Sequence, residues 1–118
     1  MKAISCNDMM DILIDNITKA MTKDVVDYEK VTQDRALIKR IDKLVEMSEG
    51  VAATIEISED THDLILSADF VTFSVDDKAF LVDIINRVKK LSFSIIDKGN
   101  VRVTFVLPKI FKEGVLSI

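Results

Sequence analysis

The chain has 118 residues, 48% of them hydrophobic and 31% charged, and a net charge of −4. That is enough for one domain with a core of its own, too apolar for a disordered chain, and too acidic overall for a typical nucleic-acid domain. The single cysteine, Cys6, rules out an internal disulfide, and no stretch approaches the roughly 20 apolar residues of a membrane-spanning helix.

The N-terminal segment argues against a signal peptide. Lys2 is present, but Asn7, Asp8, Asp11, Asp15 and Asn16 interrupt any apolar run behind it. The expected setting is the cytosol, with no membrane partner.

The hydrophobic period changes at Gly50. Before it, apolar residues recur every three or four positions; after it they mostly alternate. Ser5 and Asp8 fit a helix-capping pair. The helix that follows should run to about Met21, with Met9, Met10, Leu13, Ile14, Ile17, Ala20 and Met21 on its apolar stripe. Residues 22–31 read as a connection that turns helical at its end. Thr32 is the expected cap of a second helix over 33–48, whose buried stripe is Leu37, Ile38, Ile41, Leu44 and Val45. Gly50 suits a left-handed C-terminal cap.

Val51, Ala53, Ile55 and Ile57 alternate with polar or small residues, as in a half-buried strand, and 59–62 reads as a turn. Leu64, Leu66 and Ala68 alternate next, but the phase flips at Val71, Phe73 and Val75. A bulge near Asp69 would absorb the flip; a helical turn over 62–69 is the alternative. Asp76 can cap a helix from Asp77 to about Leu91, with Phe80, Leu81, Ile84, Ile85, Val88 and Leu91 inward. Segments 93–96 and 101–107 flank a turn at Asp97–Asn100 and form a hairpin, which Pro108 ends. The apolar tail, including Ile110, Phe111, Val115, Leu116 and Ile118, packs back on the body or on a neighbour.

The predicted fold is α+β: one domain over 1–118, a helical segment over 1–50 and a ββαββ module over 51–118. The sheet is mostly antiparallel, of about four strands, with helices on one face.

Charge is uneven. Residues 1–50 carry 8 basic and 10 acidic groups, residues 51–76 carry 6 acidic and none basic, and residues 77–118 carry 8 basic and 4 acidic. The plain reading sets the acidic and basic segments side by side; the sharper one makes Arg87, Lys89, Lys90 and Arg102 an anion-binding face. Phosphate binding needs clustered cations with few opposing charges. Asp34, Asp42 and Glu46 interrupt the stripe of Arg35, Lys39, Arg40 and Lys43. With no tryptophan and only Tyr28, stacking platforms are scarce. Nucleic acid is therefore the alternative rather than the leading partner.

No constellation for catalysis stands out. His62 is the only histidine, and with Glu59, Asp60 and Asp63 it matches no standard metal-ligand spacing. Cys6 lies at a helix start, where thiols are activated, but has no obvious base. With three glycines there is no phosphate loop. The expectation is no metal, no cofactor and no enzyme activity, though an unseen ligand pocket stays open as a third reading.

All five methionines precede Gly50 and all six phenylalanines follow it. Methionine suits adaptable contact surfaces, and the chain has more apolar segments than two layers need. The leading expectation is association with itself or another protein, as a homodimer. Its contact would be the surface of Met9, Met10, Leu13 and Ile17, the tail residues Phe111, Leu116 and Ile118, or an exposed strand edge.

Overall fold

The computed structural model describes residues 4–21, 23–71, 75–97 and 100–112. The order of elements is α1 (Cys6–Ala20), a 3-10 turn (Lys23–Val25), α2 (Tyr28–Met47), β1 (Val51–Ile57), β2 (Leu64–Phe70), α3 (Val75–Ile85), β3 (Lys90–Ile95) and β4 (Val101–Leu107). This is the α+β arrangement read from the period change at Gly50. The four strands form one sheet in the order β1-β2-β4-β3, with every neighbouring pair antiparallel. β4 lies between β2 and β3, so the connection through α3 skips the position that β4, the last strand in sequence, fills. No described helix is long and apolar enough to cross a membrane.

The strand alternation assigns the faces. Leu64, Leu66, Ala68 and Phe70 of β2 and Val103, Phe105 and Leu107 of β4 are buried. They meet Ile38, Ile41 and Leu44 of α2 and Leu81 and Ile84 of α3 in one core. The opposite face carries Glu56, Ser67, Asp69, Arg102, Thr104 and Ser92 in paired rows. Ser67 and Thr104 share a hydroxyl hydrogen bond of 3.2 Å across that face.

Helix α1 starts where its cap was expected: the Ser5 hydroxyl accepts from the Asp8 N–H at 3.0 Å. Helix α2 starts earlier than the expected Thr32 cap. Asp27 is the cap, accepting from the N–H groups of Glu29 and Lys30. The Thr32 hydroxyl instead donates to the Tyr28 carbonyl, one turn back. The preceding connection is fixed from the far end of the chain. Val26 bridges Phe111, Asp27 N–H donates to the Ile110 carbonyl at 2.7 Å, and Lys112 N–H donates to the Val25 carbonyl.

Two phase readings change. β2 stays in one register to Phe70 and the bulge lies in β1, between Ala52 and Thr54. Ala52 consequently faces the core and Val51 turns outward, the reverse of the simple alternation. Residues 64–70 are strand, not a helical turn, and Val75 opens α3 rather than closing a strand.

Helix α3 is shorter than the 77–91 reading. It ends at Ile85, and the Arg87 N–H turns to the Ile84 carbonyl. The Lys89 N–H then donates to the Val106 carbonyl, so the sheet captures Lys90 and Leu91 as the start of β3. Asp76, the expected cap, is instead the second residue of α3. The Phe80 side chain, the Gly99 turn, Phe73, Val115, Leu116 and Ile118 lie outside the described residues and side chains.

Candidate functional site

The two edges of the sheet differ. β1 is interrupted by its bulge, and α1 packs along it; bulging and covering are standard ways to blunt an edge. β3 pairs with β4 in unbroken register and no described strand lies beyond it. Phe93 and Ile95 are 53% and 81% exposed although they point to the same face as the core. A cavity of about 440 Å³ opens here, lined by Phe93, Ser94, Ile95 and Val101. Large apolar side chains on a strand edge with no described strand beyond it are what a second strand would cover.

Between α1 and β1 lies a shallower groove of about 320 Å³, with Met9, Ile12 and Leu13 facing Ala53 and Ile55. Met9 and Leu13 are half-buried there, and Ile17 packs partly against the core. Met10 and Phe111 correct the sequence reading: both are buried in this chain's own core, Met10 completely. Met10 turns to the inner side of α1, and Phe111 is held down by its bridge to Val26. Neither is a surface residue of the folded chain.

The basic set does not converge into one face. Arg102 holds Asp69 through two hydrogen bonds, of 2.7 and 2.9 Å, on the outer face. Lys89 binds Asp63 at 2.9 Å near the rim, and Arg87 lies 3.8 Å from Asp83. Lys90 is exposed at the start of β3. The short α3 places Arg87 and Lys89 on a loop and Lys90 on the edge strand instead of on one helix end, while Arg102 stands on β4, the strand on which it was expected. The Asp63 and Asp69 pairs join the acidic segment to the basic one, as the plain charge reading expects. Burial pushes the Asp63 carboxyl up, but hydrogen bonds from Lys89 and Thr61 and the charges of Lys89 and Lys109 together hold it below its ordinary value; the hydrogen bonds from Arg102 lower Asp69.

A second cavity, about 340 Å³, is lined by Lys30, Lys89, Lys109, Thr61 and Asp63. Its one carboxylate is already bound by Lys89, and the positive charge of Lys109 also acts on it. His62 stands beside this site with its ring edge-on to Phe111, 6.4 Å between centroids. Glu59 and Asp60 are exposed while Asp63 is buried, so the acidic turn does not gather around the histidine.

Cys6 is buried, and its thiol is pushed well above its ordinary value, by burial first and then by the charge of Asp42. Burial beside a carboxylate outweighs the helix-start effect that would activate it. Asp42 is a residue whose role the sequence hides. From the middle of α2 its two oxygens accept from the N–H groups of Cys6 and Asn7, at 2.7 and 3.0 Å. A helix end capped from 36 positions away leaves no local motif.

No family model, curated protein or solved structure matches this chain.

Proposed function

We propose that this protein acts by association with a second copy of itself, as a small homodimeric, non-enzymatic module. The exposed apolar edge at Phe93 and Ile95 carries this reading. An isolated exposed hydrophobic residue is ordinary, but two on an edge strand, beside a cavity, mark a contact surface. A cytosolic setting fits, since the lone cysteine is free and buried. An anion-binding reading has less support, because Arg87, Lys89 and Arg102 each meet a carboxylate.

Native mass spectrometry of untagged, gently purified protein tests the proposal. A dimer mass without adducts is expected. A monomer at the highest soluble concentration overturns it, and a monomer carrying a discrete extra mass would redirect attention to a ligand.

A further inference from the structure

We infer that two copies join edge to edge through antiparallel pairing of β3 with β3 of a second copy, the two-fold axis passing at Phe93, to make one continuous sheet. This rests on the self-association reading and specifies its geometry. Two features fix the register, and a third bears on the direction of pairing.

The first is the direction of the backbone groups. Ile96 N–H donates to the Asn100 carbonyl on the β4 side. The register from Lys90 to Ile95 is unbroken, so even-numbered residues of β3 turn their N–H and C=O toward β4. Leu91, Phe93 and Ile95 turn theirs to the open edge, in the alternation of an antiparallel ladder. With Phe93 opposite Phe93, those three residues from each copy exchange about six backbone hydrogen bonds.

The second is the identity of the faces. A two-fold axis that pairs antiparallel edges stands perpendicular to the sheet, so each copy keeps its helices on the same side. Opposed residues must therefore share a face, and a slip of one residue sets Phe93 against serine. The Phe93-centred register stacks Leu91 on Ile95, Phe93 on Phe93 and Ile95 on Leu91 along the core-facing side. Ser92 opposes Ser94 on the outer side. Moving the axis to Ser94 sets Leu91 against Asp97; moving it to Ser92 sets Ile95 against Lys89. Only the central register opposes apolar residues throughout.

The third is charge. Lys90 begins the strand and Asp97 follows its end. In the Phe93-centred register each copy's Asp97 falls opposite the other's Lys89, which already holds Asp63 of its own chain, and Lys90 falls opposite Ile96. Antiparallel pairing thus sets basic strand starts against acidic strand ends, whereas parallel pairing would set like charges together.

The register can be read by cross-linking, because Ser92 and Ser94 occupy the non-hydrogen-bonded positions of the new ladder, where side chains approach most closely. Ser92→Cys and Ser94→Cys variants of the full chain are mixed, oxidised mildly and analysed by mass; Cys6, being buried, stays out of the reaction. The expected product is the mixed disulfide between the two variants. A Ser92→Cys or Ser94→Cys chain linked to its own kind overturns the register. A dimer that survives Ile95→Lys with undiminished affinity places the contact elsewhere and overturns this geometry, leaving self-association intact. A monomeric parent protein defeats the self-association reading itself. Ile95 is the most exposed large hydrophobic residue described, so Ile95→Lys should keep the monomer's circular dichroism while the dimer is lost.

Discussion

Glu49 and Gly50 divide a task that the sequence assigns to glycine alone. Glu49 takes the left-handed conformation, φ 53°, at the end of α2. Gly50 is needed for space: a Cβ there would lie 2.8 Å from a ring carbon of Phe70 and 2.9 Å from the Asp69 carbonyl oxygen. The two positions should respond oppositely. Gly50→Ala should cost about 1–3 kcal/mol by overpacking, and Glu49→Gly should stabilise by about 1 kcal/mol by relieving backbone strain; urea melts of both variants give the sign directly. Asp34 is a different kind of misfit. Its side chain is buried on α2, one carboxyl oxygen has no hydrogen-bond partner among the described residues, and burial raises its pKa to about 6, opposed in part by Lys30. The folded chain therefore holds this proton more tightly than the unfolded chain. The resulting destabilisation is absent below pH about 4, grows through the window up to the folded value, and is complete above it. Asp34→Asn should raise stability at pH 7 by about 1–3 kcal/mol, with little gain at pH 4, read as the difference between wild-type and variant thermal melts at the two pH values.

At the level of elements, side chains from distant segments set where helices begin and end. Asp42 caps α1 from α2, and Arg35 adds a bond to Asn7 and an ion pair with Asp11. Arg40 makes the corresponding link from α2 to Asp83 of α3. Asp42→Ala removes both acceptors from the first turn of α1 and should cost about 1–2 kcal/mol. The loss should fall locally: amide exchange should accelerate at the start of α1 and leave β2 and β4 protected. Uniform acceleration across the sheet would contradict that division. The early stop of α3 also comes from a distant segment, here through backbone hydrogen bonds to β4. The apolar pattern continues helically through Val88 and Leu91, but hydrogen bonding to β4 offers Leu91 a buried partner in Phe105, and the strand wins.

At the scale of the molecule, the sheet has one managed edge and one edge with no described strand beyond it. The bulged β1 lies under α1; β3 shows Phe93 and Ile95 to solvent. A dimer formed only by the folded chain stabilises that chain by mass action. The melting temperature should therefore rise with protein concentration for the parent chain, and Ile95→Lys should remove the dependence. Calorimetry over a concentration series checks both.

The sequence by itself determined the class of fold, the capped start of α1, the inward stripe of α2 and the alternation of β4. Each rests on neighbours within a few positions, where helical or strand period and local capping chemistry are written directly in the chain. It also carried the complementary charges of the acidic and basic segments and the apolar residues of β3. Only the tertiary structure decided that Met10 and Phe111 are core, that the bulge sits in β1, that α3 yields to β3, and that Arg87, Lys89, Lys90 and Arg102 disperse. Those outcomes depend on strand order and long-range pairing. A helix stripe and a strand edge of the same apolar residues look alike in sequence until a partner strand fixes which backbone groups are satisfied and which remain open.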